Sequence, residues 1–196
     1  MRFFTLVFCL ISFQAHSRTI LVLGDSLTEG YRLGKEEAYA AVMERELKKT
    51  HPDIKVINGG VSGSTSASAP KRLDWYLKAK PDIMILALGA NDGLRGIKVE
   101  ETKKNLENVI VKAKDQGIKV IMAGMRMPPN YGKEYRESFD KIFPDLAKKH
   151  SLKLIPFLLQ DVAGKPKLNL PDGIHPNPEG HKIMAKTVMK SLDGEL

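Results

Sequence analysis

The chain has 196 residues, of which 42% are hydrophobic, one is cysteine, and the formal charge is +8. That length suits one domain with a buried core, and the apolar content argues against a disordered polymer. The single Cys9 leaves no disulfide framework or zinc–thiolate site, and lysines scattered among acids, with no basic stripe of interleaved aromatics, argue against a nucleic-acid partner.

Met1 and Arg2 make a short basic start, and residues 3–13 form an apolar run broken by Thr5 and Ser12. Ala15 and Ser17 then offer small residues at a cleavage site. This reads as a secretory signal peptide over residues 1–17, too short to span a bilayer. The competing reading is a buried N-terminal strand or helix. Phe8 before Cys9 argues against a lipid-modified cysteine. The expected mature domain, residues 18–196, has no cysteine and, with Arg2 gone, a charge of +7. A periplasmic or secreted location follows, with no stable membrane insertion expected. The positive charge reads as a solubilising face, and the alternative is attraction to an anionic surface.

Apolar runs at residues 19–23, 54–57, 83–88, 119–123 and 152–155 read as strands. The run at 83–88 is continuous, so it should be covered on both faces. Amphipathic stretches at 38–49, 73–80, 99–116, 135–150 and 180–192 read as helices, with Pro144 expected to kink the fourth. Strand–helix alternation of this kind predicts a five-stranded parallel sheet with helices on both faces. Right-handed crossovers gather the strand C-termini on one edge, where ligands bind. No repeat or linker divides the chain.

The unusual residues fall in the loops after those strands. Gly24-Asp25-Ser26-Leu27 follows the first, Asn58 to Ser66 follows the second, and Gly89-Ala90-Asn91-Asp92-Gly93 follows the third. Asp172-Gly173-Ile174-His175 precedes the last helix. Ser26 alone could be a nucleophile, a helix N-cap or part of a phosphate loop, although the Lys-Ser/Thr phosphate signature is absent. Asp172 and His175 favour the nucleophile. A serine hydroxyl needs a base, histidine titrates in the right range, and a carboxylate three residues earlier can reach the other imidazole nitrogen. A metal site is the rival reading, but no third ligand is placed with the pair. Gly63 and Asn91 could join the Ser26 N–H as oxyanion donors, while Asn91-Asp92-Gly93 could equally be a plain turn. His51, His150 and His181 read as surface or capping residues.

Together these segments resemble the SGNH (GDSL) hydrolases, and more narrowly their bacterial periplasmic thioesterase, lysophospholipase and arylesterase branch. The resemblance rests on Gly24 to Arg32, Val61 to Ser66, Leu88 to Gly96, Arg126 to Gly132 and Asp172 to Asn177, in family order. It implies a flavodoxin-like three-layer α/β/α sandwich. It implies Ser26 as nucleophile, His175 as base and Asp172 as orienting acid. The oxyanion hole would comprise the Ser26 and Gly63 N–H groups and the Asn91 side chain. It further implies that residues 92–96, including Leu94, move on acyl binding and that Met127 and Pro128 line the acyl groove. The substrate would be a small-molecule or lipid acyl ester, with water as acyl acceptor, no cofactor and no metal, acted on by a monomer. Ala90 and Ser64 depart from residues seen in some relatives. An O-acetyl esterase of cell-wall polysaccharide, or a non-catalytic anion-binding module, are the alternative readings.

Overall fold

The computed structural model describes residues 18–196, so the expected leader lies outside the described residues. In chain order the elements are β1 (Thr19–Gly24), α1 (Ser26–Glu29), α2 (Tyr39–Leu47), β2 (Lys55–Gly60), α3 (Ala69–Tyr76) and β3 (Ile83–Ala87). They continue with α4 (Ala90–Leu94), α5 (Val99–Asp115), β4 (Lys119–Ala123), α6 (Lys133–His150), β5 (Lys153–Ile155) and α7 (Pro178–Lys190).

All five strands are parallel, in the order β2-β1-β3-β4-β5. Every residue of β1 and β3 is buried, as their unbroken apolar sequences require of central strands covered on both faces. Helix α2 packs on α7, and α3 and α6 pack on α5, giving the two outer layers. The core joins Leu21, Leu23, Ile85 and Leu86 of the sheet to Tyr39, Met43, Phe139 and Phe143 of the helices.

The order of the strands places the site. The chain leaves β1 toward β2 on one side, and β3 pairs with β1 on the other, so the direction of winding reverses there. A crevice opens at the carboxyl ends of strands where such a reversal occurs. The β1 loop carries Ser26 and the β3 loop carries Asn91, one on each wall of that crevice.

β2 extends three residues past its predicted end, through Asn58, Gly59 and Gly60. The glycines pair with Leu23 and Gly24 of β1. Glycine is unfavourable in a strand unless another backbone approaches closely, and α1 does so here. A Cβ at Gly60 would fall 2.6 Å from both Glu29 Cα and the carbonyl carbon of Thr28. Because these are backbone atoms, they cannot rotate away. Gly60→Ala is therefore expected to lower stability by about 2–3 kcal/mol, as overpacked cores do, and to displace the helix that begins at Ser26. Urea unfolding checks the first effect and ester turnover the second.

Candidate active site

The nucleophile turn is built by local chemistry. Asp25 caps α1, its Oδ1 accepting the Leu27 N–H at 3.0 Å. Ser26 is thus the first residue of the helix, not its cap. The first N–H groups of a helix have no intrahelical acceptor, so the Ser26 N–H points out with its hydroxyl. Buried Arg72 reaches from α3 and donates to the Gly24 and Gly59 carbonyls, tying the ends of β1 and β2 together. No sequence signal marked Arg72 for this place.

Asn169 and Pro176 form an antiparallel bridge that turns residues 170–175 back over the crevice. His175 Nε2 lies 3.0 Å from Ser26 Oγ, and His175 Nδ1 lies 2.9 Å from Asp172 Oδ2. The other carboxylate oxygen of Asp172 accepts the Ile174 and His175 N–H groups at 3.1 and 3.0 Å. Burial alone would raise the pKa of Asp172, but the His175 N–H, the imidazole and the Ile174 N–H together hold it down at about 2. The carboxylate is therefore ionised at neutral pH. The Tyr31 ring packs on the imidazole, centroids 4.4 Å apart and 35° between planes. Tyr31 lies inside the Gly24 to Arg32 segment, yet only the fold brings it onto His175.

Asn91 occupies the first turn of α4, after Gly89 with φ +116°, a conformation that favours glycine. Its Nδ2 donates to the Ser64 carbonyl at 3.0 Å, which aims the amide and leaves a second N–H for a ligand. Gly63 adopts φ +75° in the exposed loop after β2. Beside Ser26, Asn91 and His175 opens a cavity of about 180 Å³, walled by Leu94, Met125, Met127, Pro128 and Leu159. The structure thus brings Leu94, Met127 and Pro128 to the nucleophile. Gly63 stands apart from the cavity wall.

Two buried ionisable groups lie beneath this surface. Burial pushes Asp25 up to about 6, against the Leu27 N–H, His175 and Arg72, which favour its charged form. Of the two readings of His181, surface or capping, the fold supports the second: it is buried, and its Nδ1 accepts the N–H of Tyr39, the first residue of α2, at 3.0 Å. The α7 helix turns it inward against Tyr39, whose ring stacks on the imidazole with centroids 6.0 Å apart. Burial first, and the charge of His175 second, lower it to about 4.

The sign follows from proton uptake. Between about pH 6.5 and pH 4 the unfolded chain protonates His181 before the folded one does, so stability falls with acid by about 3 kcal/mol. Asp25 acts oppositely over nearly the same window, because the folded chain takes up its proton first. The His181→Gln variant keeps an acceptor but no titration. Its stability relative to the wild type is expected to rise by about 3 kcal/mol from pH 7 to pH 4, read by urea unfolding at each pH.

A hydroxyl, an imidazole and a carboxylate in series, opening on an apolar cavity at the switch point of an α/β/α sandwich, define the hydrolase class of this fold. The sequence pattern of the GDSL-like lipase/acylhydrolase family matches residues 22–183, and the chain belongs to that family. It is 40% identical over 188 residues to an arylesterase of Vibrio mimicus, covering 95% of this chain and 94% of the relative. It is 36% identical over 185 residues to the thioesterase 1/protease 1/lysophospholipase L1 of Escherichia coli K12, covering 93% and 88%. The crystal structure of TesA superposes with a TM-score of 0.87 at 33% identity, covering 91% of this chain and all of that one. The chain is accordingly an ester hydrolase.

Proposed function

We propose that the protein cleaves acyl esters and thioesters through an acyl-Ser26 intermediate. The observation that carries this is the unbroken relay from Ser26 Oγ to His175 to Asp172, at 3.0 and 2.9 Å. His175 Nε2 takes the hydroxyl proton as Oγ bonds to the carbonyl carbon, and the carbonyl electron pair moves to oxygen. The Ser26 and Gly63 N–H groups and the Asn91 amide receive that oxyanion. The intermediate collapses, the alcohol or thiol leaves with the proton from His175, and water repeats the sequence to free the acid. Every group needed comes from one chain, so a monomer suffices.

The acyl chain occupies the cavity between Leu94, Met127 and Pro128. Its walls supply apolar contact rather than the polar groups a sugar would need, which favours lipid-like, aryl or thioester substrates over an acetylated polysaccharide. The names of the relatives, arylesterase and thioesterase 1/lysophospholipase L1, point the same way. Each methylene moved from water into such a wall is worth about 0.8 kcal/mol, or roughly fourfold. Across p-nitrophenyl esters, kcat/KM is expected to climb by about that factor per methylene above acetate until the cavity fills. A maximum at acetate would sink the lipid-like reading in favour of the deacetylase.

Residues 1–17 are proposed to direct export and to be removed, leaving the enzyme in the periplasm or outside the cell. Their basic start, apolar run and small residues support this. N-terminal sequencing of exported protein should begin at Arg18; an intact Met1 would contradict it. Among the described residues no helix is long and apolar enough to cross a membrane.

A further inference from the structure

The loop after β2 must present the Gly63 N–H accurately, yet Val61, Ser62 and Gly63 are all exposed and nothing apolar packs over them. Polar side chains hold it instead. Glu29 accepts the Ser62 N–H at 2.7 Å and the Ser62 hydroxyl. Arg95 Nη2 donates to the Gly63 carbonyl at 2.8 Å. Both of these side chains are exposed and compete with water, so each bond is weak.

The third anchor is different. Asp92 is fully buried, and so is Ser66 at the end of the loop. The Ser66 N–H donates to Asp92 Oδ2 at 2.8 Å and the Ser66 hydroxyl donates to Oδ1 at 2.5 Å. The Thr102 hydroxyl reaches Oδ1 at 3.4 Å, and Asn105 Nδ2 donates to the Ser66 hydroxyl oxygen at 3.2 Å. Hydrogen bonds to a carboxylate in a low-dielectric interior are strong, and leaving one unmade is costly. Asp92 also directly follows Asn91, whose amide holds the Ser64 carbonyl of the same loop.

We propose that Asp92 is the positioning residue of the oxyanion hole. It fixes the loop after β2 against α4, so that the Gly63 N–H and the Asn91 amide keep one separation and move together if α4 moves. Asp92 touches no reacting atom. It acts through Ser66 and, by the chain, through Gly63. The proposal rests on the acyl-Ser26 reading above.

The test measures kcat, KM and thermal midpoint for Asp92→Asn, with active sites counted by fluorophosphonate titration. The amide replaces a carboxylate oxygen with a donor facing the Ser66 donors. The expected kcat per active site falls by about a hundredfold, the scale of one lost oxyanion donor, while KM stays within about twofold. Leu47→Ala, buried at the end of α2 beside Thr50, Lys186 and Met189 and outside the site, is the control for instability alone. It should lower the midpoint with kcat per active site unchanged. If Asp92→Asn does not fold, Ser66→Ala carries the test, since it removes one of the two bonds and should lower kcat by about tenfold. Wild-type kcat per active site in Asp92→Asn, or in Ser66→Ala when that variant stands in, overturns the proposal. So does an equal loss in Leu47→Ala. Retained turnover in Ser26→Ala would instead remove the reading on which the proposal depends.

Discussion

Replacing Ser26 with alanine is expected to lower kcat by about 10⁴–10⁶, and replacing His175 with alanine by about as much, with the double variant little worse than either. The non-additivity is the informative part. The two side chains meet at 3.0 Å and perform one proton transfer, so removing either removes the step. The residual rate over water then measures what the N–H donors and the cavity contribute without a nucleophile. Two independent losses that multiply would mean that Ser26 and His175 do not act as a unit. The control is folding: both side chains stand at the mouth of the site, outside the core cluster, so thermal midpoints should stay close to the wild type.

Asp172→Asn should cost about 10⁴ in kcat with little change in KM. The carboxylate makes three bonds, to the His175 ring and to two backbone N–H groups, and the asparagine can preserve only part of that set. An amide NH₂ facing Nδ1 favours the tautomer that carries its proton on Nε2, and that tautomer cannot take a proton from Ser26. Stabilisation of the imidazolium is lost as well. Because Asp172 in the folded enzyme titrates at about 2, its protonation does not shape the rate profile above pH 4. The bonds to Asp172 contribute stability that is present above the ordinary carboxylate range and is lost only as pH falls toward about 2. A kcat within threefold of the wild type for Asp172→Asn would show that the backbone turn, and not the carboxylate charge, orients His175. The pH dependence of kcat/KM for both proteins, measured from pH 4 to pH 9, checks the assignment.

Much of this was legible before any fold was seen, and for identifiable reasons. β1 and β3 are unbroken apolar runs because both faces of a central strand are covered, and such runs read directly. The motif residues were legible because each sits in a loop or in the helix turn that follows one, at the edge of the crevice, where side-chain chemistry rather than packing decides what stands there. Residues whose placement depends on tertiary contact were not legible. The end of β2 was missed because Asn58, Gly59 and Gly60 look like a turn, and only the close approach of α1 makes them strand. The start of α3 was missed because its first turn, Ala69-Pro70, follows a run of small residues that reads as loop. Helix α6 begins at Lys133, two residues before its expected start, and continues past Pro144 to His150. Ser26 could be taken for a cap because a cap is present, one residue earlier, in Asp25. His181, Arg72 and Asp92 are polar residues at the surface of their helices by composition alone. Their burial comes from tertiary contacts that no local pattern records: Arg72 with the strand-end carbonyls of Gly24 and Gly59, His181 with Tyr39, and Asp92 with Ser66 and Thr102.

The central claim is that Ser26 is the acylated atom of a working relay. Incubation with a fluorophosphonate, followed by peptide mass mapping, tests it most directly. One adduct is expected, on the peptide containing Ser26, absent from Ser26→Ala and strongly slowed in His175→Ala. An unlabelled wild type that still turns over p-nitrophenyl esters, or an adduct on another serine, would contradict the account.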